Sequence, residues 1–134
     1  MDESRKIVNV EISDVLVDNM ANRYAGTTFD RAIPSNADGL IEVSRKALYT
    51  IFINKFYGGK EVKSAQIVGS LIADYHPHGD QSAYGSIVEL TQWFSTNYPY
   101  LYTESNFGNI LGDPEAAPRY TDAKGSKFAE DIIF

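Results

Sequence analysis

Cysteine is absent from this chain of 134 residues, which excludes disulfides and thiolate metal sites and fits a reducing cytoplasm. No apolar run approaches the roughly 20 residues that a membrane-spanning helix needs, and no basic-then-apolar leader opens the chain. Positive charge is scarce as well: 12 Lys and Arg against 18 Asp and Glu leave a net charge of −6, the wrong sign for a strong nucleic-acid binder. The scarcity is uneven. Lys and Arg occur between Arg31 and Lys63, vanish until Arg119, and return at Lys124 and Lys127, while acids crowd the start at Asp2, Glu3, Glu11, Asp14 and Asp18. A local phosphate-binding face is therefore still open, attached to a chain expected to bind weakly alone. Tyr57-Gly58-Gly59-Lys60 has neither the glycine spacing nor the terminal Lys-Ser/Thr of a Walker loop, so ATP chemistry is not expected here. Internal repeats and low-complexity segments are also missing.

Two segments carry the chemistry. In Tyr75-His76-Pro77-His78-Gly79-Asp80, Pro77 and Gly79 forbid a continuous helix and Asp80 is suited to cap the next one. Helix, short glycine-containing turn, helix is the sequence form of a DNA-reading helix-turn-helix. In Ala116-Ala117-Pro118-Arg119-Tyr120-Thr121 a phenol directly follows a guanidinium, behind a stiffening proline. A tyrosine oxygen, with an ordinary pKa of about 10, is a poor nucleophile at neutral pH. A fixed cation favours its phenolate and holds the phosphate it attacks. A DNA-reading unit beside Arg-Tyr points to an enzyme that forms a phosphotyrosine.

Along the chain, residues 7–12 alternate partly and predict a short strand. A short helix is expected from Val15 to Tyr24, interrupted at Gly26, and Arg31–Pro34 reads as a loop. Asp38 is expected to cap a helix reaching about Phe56, with Leu40, Val43, Ala47, Leu48 and Ile51 on the buried stripe and Arg45 and Lys46 off it. Val62–Asp74, with Ala65, Val68, Leu71 and Ile72 inward, and Gln81–Phe94, with Ala83, Ile87, Leu90 and Phe94 apolar, form the paired helices. Residues 97–118 read as extended pieces joined by turns, the wing of a winged helix. A last helix is expected over 122–134, and its apolar end suggests a chain cut within a larger structure. The fold class expected is mainly α with a small β component: a winged-helix domain over 30–134, preceded by an N-terminal arm over 1–29 made of a strand and a short helix.

The run Lys63–Gly69, the turn Tyr75–Asp80, Asn106-Phe107-Gly108 and Ala116–Thr121, with Arg31–Pro34 and Asp38-Gly39-Leu40 upstream, together resemble the cleavage subunit of the type IIA DNA topoisomerases. Gyrase A, topoisomerase IV and bacteriophage medium subunits belong to that family. The resemblance covers the chain from about Ile7 onward, and it implies that Tyr120 attacks a DNA phosphodiester to leave a reversible 5′-phosphotyrosine. Arg119 and Arg31 are suited to phosphate oxygens as guanidinium forks, and the resemblance places His78 beside the scissile phosphate. Arg45, Lys46, Lys63, Ser64, His76, Gln81 and Ser82 are the residues expected at the duplex. His76 is also expected to support the turn, and a metal site at His76, His78 and Asp80 is not expected. By resemblance, Mg2+ sits on the acidic domain of a partner chain and ATP is used by a partner ATPase chain, with neither bound here. The partners implied are double-stranded DNA, that ATPase/metal-binding chain and a second copy, with no membrane. The arm is expected to reach the partner's metal-binding domain, and the setting expected is the cytoplasm of a bacterial or phage-infected cell. The family's tower and coiled coil would lie beyond this sequence.

Departures from the pattern are specific. Leu40-Ile41-Glu42 stands where the family has Leu-Lys-Pro, which removes a cation and adds an acid. Ser105 replaces the glycine before Asn-Phe-Gly. Gln81 and Gly85 occupy the serine and acid positions to which quinolone poisons are anchored in sensitive relatives. Two other classes stay open: a non-catalytic winged-helix DNA binder, and a module that joins and perturbs a topoisomerase.

Overall fold

The computed structural model describes residues 8–133. The chain divides into two compact units, Met1–Gly39 and Leu40–Phe134. In the first, helix α1 (Ile12–Asp14) leads through a π-helical stretch (Val15–Ala21) into α2 (Asn22–Ala32). None of these segments contains a buried residue. Ile12, Leu16, Met20 and Tyr24, spaced four apart on one helical stripe, are all exposed.

The expected strand over 7–12 does not form where it can be seen. Ile7 lies outside the described residues, Val8–Glu11 form no strand, and Ile12 already opens a helix. The Glu11 carbonyl accepts from the amides of Asp14 and Val15, so local helical bonds satisfy a segment that has no sheet to join. Gly26 does not interrupt the next helix either. A helical glycine costs only about 1 kcal/mol relative to alanine, and α2 runs through it, with Thr27 Oγ1 donating to the Arg23 carbonyl 3.0 Å away. Arg31, expected in a loop, is thereby in the last turn of α2, where a cation complements the helix dipole.

The second unit contains α3 (Glu42–Ile53), β1 (Val62–Lys63), α4 (Ser64–Asp74), α5 (Asp80–Thr91), β2 (Leu101–Tyr102), β3 (Asp122–Gly125) and α6 (Lys127–Ile132). Helices α3, α4 and α5 enclose a core of Ala47, Leu48, Ile51, Ile67, Val68, Leu71, Ala83, Ile87 and Leu90, closed by Leu101, Phe107 and Ala123. Burying each Leu or Ile side chain there contributes roughly 1.5–3 kcal/mol. The three strands form an antiparallel sheet in the order β1-β3-β2. Val62 pairs with Ala123 and Lys63 with Asp122 on one side; Leu101 pairs with Gly125 and Tyr102 with Lys124 on the other. The fold is mainly helical with a small sheet, a winged-helix arrangement as expected.

Several boundaries differ from the sequence reading. Helix α3 starts at Glu42, four residues after Asp38, and its N-cap Ile41 offers no side-chain cap. Ser35 organises the turn before it, accepting from Ala37 N through Oγ and from Gly39 N through its carbonyl. Helix α4 starts at Ser64 because Val62 and Lys63 are drawn into β1. That start turns Ser64 and Ile67 inward and leaves Ala65 exposed. Asp80 is not the cap of α5: Gly79 occupies that position, and Asp80 is the first helical residue, its Oδ1 accepting from Gln81 N. Helix α5 ends at Thr91, so Phe94 lies beyond it. The largest difference is over 122–134, expected as one helix. Asp122–Gly125 is the central strand, and α6 follows from its N-cap Ser126, whose Oγ accepts from Ala129 N; Phe134 lies outside the described residues.

Candidate functional site

The Arg-Tyr segment lies in the connection between β2 and β3. Asn106–Asp113 is a hydrogen-bonded loop: Asn109 Oδ1 accepts from Leu111 N and Asp113 N, and Asn109 Nδ2 donates to Asp113 Oδ2 at 2.6 Å. The amide of Ala116 donates to the Asn106 carbonyl at 3.0 Å and closes the loop. Beyond it, the carbonyls of Pro118 and Thr121 accept from the amides of Ala65 and Ser64 at 3.0 and 2.9 Å. Those amides open α4 and have no partner within the helix. The side chain of Lys63, the N-cap, makes no capping bond, so the Tyr120 segment itself caps the helix.

Between these anchors Tyr120 N donates to the Ala117 carbonyl at 2.8 Å, and the residue is 68% exposed. The Arg119 guanidinium lies over the Tyr120 ring, 5.0 Å from its centroid, a cation–π contact. Thr121, next in sequence, is fully buried. Its Oγ1 donates to Ser64 Oγ at 2.8 Å and lies 3.1 Å from Tyr84 Oη, which donates to the Ala116 carbonyl at 2.6 Å. Burial raises the Tyr84 pKa above its ordinary value, the neighbouring Thr121 hydroxyl opposes the rise, and the Glu115 carboxylate adds to it. Tyr84 thus remains a neutral donor.

The turn between α4 and α5 collects the histidines. His76 N donates to the Leu71 carbonyl at 2.8 Å and His78 N to the His76 carbonyl at 2.7 Å, which ends α4 sharply. His78 Nδ1 is 2.7 Å from the Pro77 carbonyl. A carbonyl only accepts, so Nδ1 carries the proton and neutral His78 presents Nε2 as an acceptor. The two imidazoles are 4.4 Å apart, His76 half-buried and His78 exposed. Gln81 and Ser82, in the first turn of α5, are exposed.

The cations are largely engaged. Lys46 pairs with Glu42 at 2.6 Å and Lys63 with Asp122 at 2.7 Å, while Arg45 Nη2 donates to the Leu40 carbonyl at 3.2 Å. Glu42 therefore holds Lys46 in an ion pair. Ser64, expected at the duplex, is fully buried and its hydroxyl serves Thr121 instead. Arg31 is exposed on α2 in the first unit. The structure thus joins Arg119, Tyr120, Lys63 and Ser64 at the start of α4, and His76, His78, Gln81 and Ser82 at its end. Sequence reading missed Tyr84 and Asp122. Tyr84 looks like one more ring on a helix, and only the pairing of β1 with β3 puts Asp122 opposite Lys63. Among the described residues no group of three or more His, Cys, Asp or Glu is placed to hold a metal ion.

Comparison with known proteins matches residues 31–134 to the family model that describes the A chains of DNA gyrase and topoisomerase IV. A DNA gyrase A protein of Deinococcus deserti is 42% identical over 125 residues, 92% of this chain and 15% of that protein. One from Borreliella burgdorferi is 41% identical over 133 residues, 98% of this chain and 16% of that protein. One from Spiroplasma citri is 41% identical over 133 residues, 98% of this chain and 59% of that protein. The chain therefore spans only part of the length of the relatives it matches.

Proposed function

The chain belongs to the gyrase A/topoisomerase IV family, and from that premise we propose that it is the DNA-cleaving part of a type II topoisomerase. Tyr120 Oη attacks a phosphodiester phosphorus in the duplex, forming the phosphotyrosine bond as the P–O bond to the 3′ oxygen breaks. The phenol gives up its proton, and the leaving 3′ oxygen takes one up as a hydroxyl. The new ester keeps the energy of the broken one, so religation runs the same step backwards without ATP.

The observation that carries this reading is an exposed Tyr120 on a segment pinned at both ends, with the Arg119 guanidinium against its ring. A nucleophile has to be accessible and yet fixed to the scaffold. Arg119 and Arg31 would bind the phosphate oxygens on which charge develops. Neutral His78 would accept a proton at Nε2, or as imidazolium donate a hydrogen bond to the phosphate. Gln81 and Ser82 would meet the groove by shape and small polar contacts, with His76 behind them. Lys46, Lys63 and Arg45 would meet the backbone, and the two lysines would exchange Glu42 and Asp122 for phosphate. Magnesium would be supplied by carboxylates of a partner chain, and ATP hydrolysis by a partner ATPase chain. Two strands need two tyrosines, hence a homodimer. The exposed stripe from Ile12 to Tyr24 supports the arm as a contact for the partner chain. A cytoplasmic setting follows from that activity; among the described residues no helix is long and apolar enough to cross a membrane.

The test is Tyr120→Phe in the dimeric protein reconstituted with its ATPase partner, magnesium and supercoiled DNA. The substitution keeps the exposed ring, so stability should change by less than about 0.5 kcal/mol and DNA affinity should hold. The covalent protein–DNA adduct that survives denaturant should vanish, while Tyr98→Phe should leave it intact. An adduct that persists in Tyr120→Phe would overturn the assignment. The competing reading is a DNA-binding or topoisomerase-interacting module without catalysis. It draws on the lysines neutralised by Glu42 and Asp122, and a complete wild-type assembly that forms no adduct would establish it.

A further inference from the structure

We propose that Tyr84 is a positioning residue that makes the DNA-reading helix and the nucleophile segment one rigid body. The inference rests on Tyr120 as the nucleophile. Tyr84 lies mid-way along α5, the helix that carries Gln81 and Ser82, and is buried on the far side from solvent. Its Oη donates to the Ala116 carbonyl at 2.6 Å and lies 3.1 Å from Thr121 Oγ1, so one phenol touches the Tyr120 segment on both sides of the nucleophile. Thr121 passes the connection to Ser64 Oγ at 2.8 Å, at the start of α4. Two helices and the nucleophile segment thus meet at three buried hydroxyls, and among the described residues no buried side-chain polar atom lacks a partner.

The arrangement has a mechanical consequence. Entry of α5 into a groove sets the position of the duplex, and the Tyr84 phenol sets the position of Tyr120 relative to α5. Without the phenol oxygen, the Ala116 carbonyl loses its hydrogen bond to the helix and the Thr121 hydroxyl loses its polar neighbour at 3.1 Å. The segment would then be held by its two backbone bonds to α4, the Thr121–Ser64 hydroxyl bond, the Ala116–Asn106 bond and its own turn. A nucleophile displaced by about 1 Å loses on the order of a hundredfold in rate without weakening ground-state binding.

Tyr84→Phe keeps the ring against Phe107, whose centroid is 6.2 Å away, and removes only the oxygen. In the reconstituted dimer, cleavage at saturating DNA should fall about tenfold to a hundredfold, with the DNA concentration for half-maximal cleavage unchanged within about twofold. Thr121→Val should fall in the same direction and Thr121→Ser, which restores the hydroxyl, should recover the wild-type rate. Hydrogen exchange at the Tyr120 amide should accelerate in Tyr84→Phe while the amides of α4 around Leu71 stay protected, and this readout needs no catalysis. Wild-type cleavage with an equal rate in Tyr84→Phe would overturn the inference, as would unchanged exchange at Tyr120. A wild type without adduct but with faster exchange in the variant would instead sink the catalytic reading and leave the mechanical one standing.

Discussion

Replacing Gly108 by alanine separates backbone strain from steric clash, because Gly112 in the same loop serves as its control. Both glycines have a left-handed backbone, φ +86° at Gly108 and +91° at Gly112. An L-residue there costs about 1–2 kcal/mol, partly offset by the lower entropy of an unfolded chain without that glycine, about 0.4–1 kcal/mol. Gly112→Ala adds no contact, since nothing lies within 4 Å of a Cβ at that position. Its net cost should be about 1 kcal/mol. At Gly108 the same Cβ would sit 2.9 Å from the Asp113 carbonyl oxygen and 3.4 Å from Gln92 Nε2. The oxygen belongs to the backbone and has to move, which breaks its bond from Asn109 N; Gln92 then loses its 2.8 Å bond to the Phe107 carbonyl. Adding about 1 kcal/mol for each bond lost brings Gly108→Ala to about 3 kcal/mol. For a domain of this size 1 kcal/mol moves Tm by about 4–8 °C. Thermal unfolding followed by circular dichroism should therefore show a shift at Gly108 at least about twice that at Gly112. Because the loop closes on Ala116, Gly108→Ala should also reduce cleavage. Equal Tm shifts at the two positions would refute the steric argument.

Glu42→Gln should release Lys46 from its 2.6 Å pair and strengthen duplex binding by about twofold to fivefold at low salt, the scale of an exposed ion pair; fluorescence anisotropy showing no gain would mean that Lys46 does not reach phosphate. A Cβ at Gly85 meets nothing within 4 Å, so Gln81→Ser with Gly85→Asp should fit on α5 and make a resistant enzyme sensitive to quinolones, and equal sensitivity of both versions in a cleavage assay would show that the drug grips elsewhere. Because burial raises the folded Tyr84 pKa above 10.0, its stabilising contribution is complete below pH 10 and is lost as pH rises through the higher folded value. Chemical denaturation should show a shallower alkaline loss in Tyr84→Phe than in wild type, and parallel curves would contradict the burial argument.

The helix-turn-helix was legible because its signals are local. Pro77 and Gly79 break the chain whatever surrounds them, and the stripe of Ala47, Leu48 and Ile51 repeats at the helical period along one element. The contact between Arg119 and Tyr120 was legible because a guanidinium beside a phenol is a property of two adjacent residues. The winged-helix class followed from these and from the turn-rich stretch after α5. What the sequence could not disclose depends on distant partners. Asp122–Gly125 carries no period of its own; it is a strand because β1 and β2 lie on either side of it and take up its amides and carbonyls. The same pairing brings Asp122 onto Lys63 and gives an expected phosphate contact an ion-pair partner. Ser64 moved from the expected DNA face to the interior because β1 shifted the start of α4. Tyr84, one of nine tyrosines, acquired a distinct role only when folding brought Ala116 and Thr121, 32 and 37 residues away, to its hydroxyl. Local sterics and hydrophobic period are written in consecutive residues, whereas hydrogen bonds and ion pairs between remote residues exist only after loop closure has brought them together.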